Sequence, residues 1–266
     1  MKKIFITGAS SGIGLALACE YASQYSNQNV VLGLIGRKLA ALEDIARELE
    51  SQQNTTCVIY ALDVRDSVAL QKAANDFMML YGTPNIVIAA AGVSRGTLTE
   101  YEEDIPAFQA IMDINVMGMV HTFSPFITAM NNSTDEQKQL VGIASVAGIR
   151  GLPGAGAYSA SKAAAISYLE SLRVEMQKYD ITVTTVAPGY IRTPMTNINA
   201  YKMPFLMEAD VFAKKCISAI EHQRRFIIIP WQMGWVAKLL RFIPAALWDW
   251  LMRNAPHKER MDWDWL

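Results

Sequence analysis

The chain reads Thr7-Gly8-Ala9-Ser10-Ser11-Gly12-Ile13-Gly14 directly after a short apolar run and directly before a helical pattern. In such a stretch Gly8 permits a tight turn, Gly12 lets the backbone approach a pyrophosphate, and Gly14 allows the helix to pack closely on the strand. Unpaired amides and the positive end of the helix dipole attract phosphate. A glycine pattern alone also fits a plain tight turn, but the flanking strand and helix favour a dinucleotide-binding loop. The positions expected to touch the dinucleotide are Gly8, Ser10, Ser11, Gly12, Ile13 and Gly14.

Short β-branched runs alternate with helical patterns along most of the chain. Apolar residues at helical spacing mark Ile13–Gln24 and Leu39–Leu49 as helices. This alternation predicts an α/β fold in three layers, a doubly wound parallel sheet with helices on both faces and the last strand at one edge. Strands are predicted at Lys3–Thr7, Asn29–Leu34, Thr56–Ala61, Ile86–Ala90, Leu140–Ala144, Thr182–Val186 and Phe226–Ile229.

Composition and charge narrow the class of protein. The 266 residues are 52% hydrophobic and 18% charged, which is typical of a folded chain with a sizeable core, and the net charge of −1 argues against nucleic-acid binding. The cysteines, Cys19, Cys57 and Cys216, lack metal-ligand spacing, so we expect reduced thiols, no metal and a cytoplasmic location. The apolar run after Met1 is too short for a signal peptide, and no apolar stretch is long enough for a transmembrane helix.

Cofactor choice is predicted at the end of the second strand. NAD sites commonly place a carboxylate there, whereas an arginine accommodates the 2′-phosphate of NADP. This chain has Arg37 followed by Lys38, which favours NADP, although Arg37 is alternatively a solvated residue at a helix start. Asp63 and Val64 follow the third strand. The Asp63 carboxylate is suited to accept a hydrogen bond from adenine, and a turn or N-cap role is the alternative.

A tyrosine and a lysine stand four residues apart, Tyr158 and Lys162, near the start of a long helical pattern. That spacing puts both on one helix face, where a neighbouring cation lowers the pKa of a phenol. Such a pair alone is usually a surface pair. Ser145 ends the fifth strand, at the sheet edge where ligands bind, and its hydroxyl can steady a substrate oxygen or serve only a turn. Asn115 lies in an otherwise apolar helix, where a water bridge to the lysine would satisfy its amide.

These motifs resemble those of the short-chain dehydrogenase/reductase family. They follow the family's order and spacing from residue 1 to about residue 195. The fourth strand departs from the pattern, since the usual Asn-x-Ala-Gly is replaced by Ala89-Ala90-Ala91-Gly92; we expect this to alter local hydrogen bonding more than chemistry. The motifs that carry the likeness are Thr7–Gly14, Asp63-Val64, Asn115, Ser145, Tyr158 with Lys162, and Pro188-Gly189 followed by Thr193.

The resemblance implies a Rossmann fold and assigns roles to these residues. Tyr158 would be the general acid–base. Lys162 would bind ribose and lower the tyrosine pKa. Ser145 would orient the substrate and Asn115 would complete a proton relay. The resemblance also places these positions beside the cofactor: Ala91, Gly92, Tyr158, Lys162, Pro188, Gly189, Ile191 and Thr193.

Residues 190–210 and the C-terminal end depart from the regular alternation. We expect residues 1–230 to form one domain, with a substrate loop at 190–210 made of a mobile loop or short helices. Its apolar residues form either an adaptable lid, which favours a bulky apolar substrate, or core beneath a loop. These residues are Met195, Met203, Phe205, Leu206 and Met207.

The extension 231–266 is amphipathic and holds all six tryptophans, and residues 224–260 carry seven Lys/Arg against Asp249 and Glu259. Pro244 should break its helical pattern into two pieces. Tryptophan and cations on one amphipathic segment are typical of a helix at a membrane surface, so residues 231–254 are a candidate for peripheral attachment to the inner face of a membrane. Packing on the domain or on a partner subunit is the alternative.

The sequence therefore predicts an NADP-dependent oxidoreductase that interconverts a carbonyl and an alcohol on an apolar small molecule. Two other functions remain open: an NADP-binding regulatory protein without turnover, and a membrane-peripheral protein that acts through its C-terminal segment. The intact set of Ser145, Tyr158 and Lys162 argues against the former, because a regulatory protein has no chemical need for all three. We also expect a homo-oligomer, a dimer or tetramer.

Overall fold

The computed structural model describes residues 1–51, 54–199, 201–255, 258 and 260. The described strands form a parallel sheet in the order β3-β2-β1-β4-β5-β6-β7. Chain order reverses between β1 and β4, which creates the crevice where open α/β sheets bind ligands. The strands are β1 Lys2–Thr7, β2 Val30–Gly36, β3 Thr55–Ala61, β4 Ile86–Ala89, β5 Gln139–Ile143, β6 Thr182–Pro188 and β7 Phe226–Ile229.

Helices cover both faces of the sheet. Alternate strand residues point to opposite sides, so Ile4 and Ile6 of β1 enter one apolar core and Phe5 enters the other. The first core packs against α1, α2 and α8, and the second against α3, α5 and α6. The helices are α1 Gly12–Gln24, α2 Leu39–Glu50, α3 Ser67–Tyr81, α4 Ile105–Met112, α5 Gly118–Asn132, α6 Gly156–Glu175, α7 Pro194–Asn197, α8 Ala209–Glu221, α9 Trp231–Phe242 and α10 Ala245–Met252.

The predicted three-layer α/β fold and its seven strands are confirmed. Boundaries differ by up to two residues: the second strand continues to Gly36, where it still pairs with Ala61 of β3. The last strand forms the predicted sheet edge beside β6. The cysteines are free thiols.

The region after β7 forms two consecutive helices, α9 and α10. The helical pattern breaks before Pro244, as predicted, and separates α9 from α10. Met233 and Ala237 are the buried residues of α9, and Met233 lies over Gly189 at the end of β6. Within the described part of the chain, no helix is long and apolar enough to cross a membrane. The tryptophans at 263 and 265 lie outside the described residues.

Candidate active site

The glycine turn after β1 has the backbone that its sequence predicts. Gly8 has a φ of +72° and Gly12 a φ of +59°, a conformation that other residues adopt only with strain. A Cβ on Gly14 would lie 2.2 Å from the Gly8 carbonyl oxygen, so helix α1 starts in contact with the turn. A Cβ on Gly12 would reach within 3.5 Å of the Thr193 side chain and fill the space between the two segments. The glycines therefore keep a cradle open at the start of α1.

A single cleft runs from this turn across the carboxyl ends of the strands. It is lined by most of the residues that the sequence singled out, whereas Gly14 packs behind the turn and Asn115 lies behind Gly92, whose Cβ would meet its amide oxygen at 3.2 Å. The predicted residues that line the cleft are Gly8, Ser10, Ser11, Gly12, Ile13, Arg37, Asp63, Val64, Ala91, Gly92, Ser145, Tyr158, Lys162, Pro188, Gly189, Ile191 and Thr193.

One end of the cleft is charged. Arg37 is exposed at the carboxyl end of β2 and also lines the cleft. The Asp63 carboxylate accepts hydrogen bonds from the Arg65 backbone (2.9 Å) and guanidinium (2.8 and 3.1 Å), which is the turn role left open by the sequence. Burial raises the pKa of Asp63, but the Arg65 hydrogen bonds and the Arg37 charge leave it below its ordinary value. The N-cap of α3 is Asp66, which accepts from the Ala69 amide.

At the other end, the side chains of Ser145 and Tyr158 meet. Ser145 follows β5, and its hydroxyl accepts a hydrogen bond from the Ala147 amide at 3.1 Å. Tyr158 lies in the first turn of α6. Burial raises the pKa of Tyr158, and the hydrogen bond with Ser145 lowers it only in part. Desolvation thus outweighs the hydrogen bond in the net direction of this pKa, and the expected lowering by Lys162 remains a prediction.

Lys162 is buried one helical turn beyond Tyr158, with 5% of its surface exposed. Its ammonium donates to the Ile143 carbonyl oxygen at 2.8 Å and lies 5.8 Å from the centroid of the Tyr158 ring. Burial lowers the pKa of Lys162 to about 8. A β5 carbonyl thus fixes the cation at the floor of the cleft, with the tyrosine above it.

Asn115 sits in a wide helical turn between α4 and α5. Residues Asp113–Met117 form a π-helix, a geometry that recurs at functional sites. The fully buried amide of Asn115 accepts from the Val93 amide (2.8 Å) and donates to the Val93 carbonyl (2.9 Å) and to the Ser161 hydroxyl (2.9 Å). Protein groups therefore satisfy the amide, and the water bridge to the lysine remains a prediction.

At the end of β4, where Ala89 replaces the family's asparagine, the neighbouring Thr7 of β1 makes hydrogen bonds. Ala89 is buried in β4 opposite Thr7 of β1. The Thr7 hydroxyl donates to the Ile88 carbonyl and accepts from the Ala91 amide, both at 3.5 Å. These long contacts tie β1 to the end of β4.

Several residues of the cleft were not predicted. They lie within three residues of predicted positions, so extending each motif by a few residues would have found them. Among the apolar residues proposed for a lid, Met195 lines the cleft, Met207 packs against the first core, and Phe205 is 51% exposed. The segment holds the short helix α7, as one of the two expectations had it. The unpredicted lining residues are Gly36, Leu62, Ala90, Val93, Ile114, Ile143, Ala144, Pro194 and Thr196.

Comparison with known proteins identifies the family. A sequence model described as short chain dehydrogenase matches residues 2–202. An uncharacterized oxidoreductase of Myxococcus xanthus is 32% identical over 244 residues, which cover 92% of this chain and 93% of that protein. An 11-beta-hydroxysteroid dehydrogenase-like 2 protein of Arabidopsis thaliana is 31% identical over 258 residues, covering 94% and 80%. The chain belongs to the short-chain dehydrogenase/reductase family and is an oxidoreductase of that family.

Solved structures agree on the Rossmann fold. A short-chain dehydrogenase/reductase of Burkholderia phymatum in complex with NAD superposes with a TM-score of 0.78 at 21% identity and covers 98% of both chains. An alcohol dehydrogenase of Thermococcus sibiricus complexed with 5-hydroxy-NADP has a TM-score of 0.75 at 24% identity, covering 86% of this chain and 96% of that one. At these identities the likeness establishes the fold.

Proposed function

We propose that the protein is an NADP-dependent oxidoreductase that interconverts a carbonyl and an alcohol. The observation that carries the proposal is the single cleft in which the glycine turn at one end meets Ser145, Tyr158 and Lys162 at the other. A nucleotide-binding protein without turnover would have no use for a buried lysine beneath a serine–tyrosine pair. Family membership alone leaves the reaction open.

The cleft fits a dinucleotide. Gly12 leaves space between the start of α1 and Thr193, and within the described chain no side chain caps the first turn of α1, which leaves its amides available to phosphate. The glycine turn would hold the pyrophosphate, and residues Pro188–Thr193 the nicotinamide end. The bound nicotinamide would supply or accept a hydride.

The chain's own residues handle the proton. Tyr158 carries it on its hydroxyl oxygen and, in the reductive direction, donates it to the substrate oxygen. Ser145 donates a hydrogen bond to the same oxygen and fixes its position. Lys162 would hold a ribose hydroxyl of the dinucleotide and provide the positive charge that favours the phenolate. Asn115 is bonded to Ser161, the residue before Lys162, and to the Val93 backbone. It therefore keeps this part of α6 in place beside the end of β4.

Arg37 supports NADP rather than NAD. It follows β2 where the ribose 2′ position of a dinucleotide is recognised, and a guanidinium there suits a phosphate. A carboxylate at that position would instead repel the phosphate. The nearby Asp63 carboxylate is already engaged by Arg65, which reduces its competition for an adjacent anion.

The substrate we propose is a bulky apolar carbonyl or alcohol. The cleft walls beyond Ser145 and Tyr158 include Val93, Pro194 and Met195, and methionine repacks readily around different apolar shapes. One relative at 31% identity carries a hydroxysteroid dehydrogenase-like name, which suits a rigid apolar substrate.

The exposed face of α9 supports the proposal of peripheral attachment to the anionic cytoplasmic face of a membrane. Trp235, Leu239 and Phe242 project from α9 with 66%, 68% and 84% of their surfaces exposed. The ammonium of Lys238 lies 5.2 Å from the Trp235 ring centroid, and Arg241 stands on the same helix. Exposed aromatic rings beside cations match the requirements of an interfacial helix.

Replacing Tyr158 tests the reaction. We expect Tyr158→Phe to lower kcat for carbonyl reduction by about 10²- to 10⁴-fold, because the proton donor is removed, while NADPH affinity changes little. NADPH absorbance across a panel of apolar ketones, aldehydes and acyl thioesters gives kcat, and NADPH fluorescence gives Kd.

Tyr168→Phe is the matched control, since it removes the same atom from the same helix away from the cleft. It should keep wild-type kcat. A Tyr158→Phe variant that retained most of its activity would refute the assignment. A wild-type protein that binds NADPH and turns over no substrate of the panel would favour the regulatory alternative.

A further inference from the structure

In the C-terminal tail, the described residues Lys258 and Arg260 contact residues 94–104, which lie between β4 and α4. The Lys258 ammonium donates to the Ser94 hydroxyl at 2.9 Å. The Arg260 guanidinium donates to both oxygens of Asp104, at 2.8 and 3.2 Å, and to Glu103 at 3.0 Å. It also stacks over the Tyr101 ring, 3.7 Å from the centroid. Two tail residues thus contact both ends of one segment.

Asp104 links this contact to the backbone of the segment. Only 5% of its surface is exposed, and its Oδ2 also accepts from the Leu98 amide at 2.8 Å. One buried carboxylate therefore joins Arg260 to the middle of the segment. Removing Arg260 would leave the buried Asp104 carboxylate without its charged partner, which costs more than losing a pair in which both groups are exposed.

The same segment reaches the candidate active site on its other side. The Thr97 amide donates to the Gly154 carbonyl at 3.1 Å, and the Thr97 hydroxyl accepts from the Ala157 amide, one residue before Tyr158. Val93, just before the segment, lines the cleft and is bonded to Asn115. The segment therefore lies between the tail and the start of the helix that carries the tyrosine.

We propose that the C-terminal tail is a clasp in which Arg260, through Asp104, positions residues 94–104 against the substrate side of the cleft. Arg260 is a positioning residue, since it acts through Asp104 and Leu98 and not on the reacting atoms. The role in substrate binding rests on the proposed function; the clasp itself is a property of the folded chain. None of the predicted dinucleotide contacts lies within residues 94–104, so we expect the clasp to leave cofactor binding unchanged.

The test compares Arg260→Met with Arg253→Met in the full chain. Arg253 is an exposed arginine of the same tail, so its substitution controls for the loss of one charge. We expect Arg260→Met to raise the KM for the carbonyl substrate about tenfold, with kcat within about threefold and the KM for NADPH unchanged. Arg260→Lys should bring the substrate KM part of the way back to the wild-type value. An ammonium keeps the positive charge but lacks the two-pronged hydrogen bonding of a guanidinium. Equal substrate KM in Arg260→Met and wild type would overturn the role in substrate binding.

A second measurement needs no turnover. Amide hydrogen exchange should be at least about tenfold faster at Thr97 and Leu98 in Arg260→Met than in Arg253→Met, because the carboxylate that holds the segment has lost its partner. Exchange in the central strands should stay at the wild-type rate. Unchanged exchange at Thr97 and Leu98 would refute the clasp, even if the protein reduced no carbonyl at all. If exchange at Thr97 and Leu98 were faster in Arg260→Met but the wild-type protein showed no turnover, the clasp would be supported and only the proposed function would be refuted.

Discussion

Two regions of the molecule treat their side chains in opposite ways. At the carboxyl ends of the strands, polar side chains are buried, whereas on helices α9 and α10 large apolar side chains are exposed to solvent. Asn115 and Lys162 are almost inaccessible, and each is bonded to main-chain carbonyls. Trp235 and Phe242 lie mostly in water. Both arrangements cost free energy in an isolated chain, so each is informative about a ligand or surface.

The two regions differ in what would relieve that cost. The cleft is built on adjacent strand ends, so its polar groups stay in place, ready for a ligand. Helix α9 packs against β7 with Met233 and Ala237 buried, and its opposite face is exposed within the described part of the chain. Polar groups fixed in a cleft therefore point to a small ligand, while an exposed apolar helix face points to an extended surface.

The largest effect beyond that of Tyr158 is expected at the charged end of the cleft. Arg37→Asp should shift the ratio of kcat/KM for NADPH over NADH by about 10- to 100-fold towards NADH, because a charge-assisted contact is replaced by repulsion. Parallel assays with the two cofactors measure the ratio. Arg47→Asp, the same change on α2 outside the cleft, should leave it unaltered. A ratio unchanged by Arg37→Asp would remove Arg37 from the nucleotide site.

Replacing Lys162 should have an effect of intermediate size, here on the free energy of unfolding. Because burial lowers its pKa to about 8, the folded chain binds fewer protons than the unfolded chain between pH 8 and the ordinary lysine value. The cost of burying the charge is therefore full below pH 8 and disappears as the pH rises through that window. Lys162→Met should be inactive, yet more stable than wild type at pH 7 by about 1–2 kcal/mol.

Urea unfolding of both proteins at pH 7 and pH 10 measures this difference. The gain should shrink at the higher pH, while Lys215→Met, at an exposed lysine on α8, should show no such trend. An equal gain at both pH values would mean that improved packing, and not the buried charge, is responsible.

The smallest effect is expected on membrane binding by the exposed face of α9. The double variant Trp235→Ser, Leu239→Ser should bind anionic liposomes about fivefold more weakly than wild type, because less apolar surface can enter the interface. Cosedimentation measures binding. Met79→Ser, at a residue 77% exposed on α3, is the matched control and should bind as wild type does. If the double variant instead dissociated a larger oligomer and wild type ignored liposomes, the face would be an interface between copies of the chain.

Local patterns predicted most of the fold and the chemistry-bearing residues. Buried parallel strands are continuous apolar runs, and the spacing of Tyr158 and Lys162 requires only a helix, so both were accessible to sequence reasoning. Contacts between distant segments were not. The partners of Asn115 stand 22 and 46 residues away, and Arg260 meets Asp104 across 156 residues. The rise that burial causes in the pKa of Tyr158 was also not predictable, because desolvation depends on the packing around the ring.

The π-helical turn at residues 113–117 also sets the phase of the long helical segment around it. The buried residues repeat there in pairs every four positions, at Ala110-Ile111, Ile114-Asn115, Gly118-Met119 and Thr122-Phe123. A regular α-helix has 3.6 residues per turn, so this stripe would drift around its surface. The wide turn takes up the extra residue and keeps α4 and α5 facing the same core. Deleting a single residue from this turn would rotate α5 relative to α4. The position of Asn115 and the packing of α5 therefore depend on the same turn.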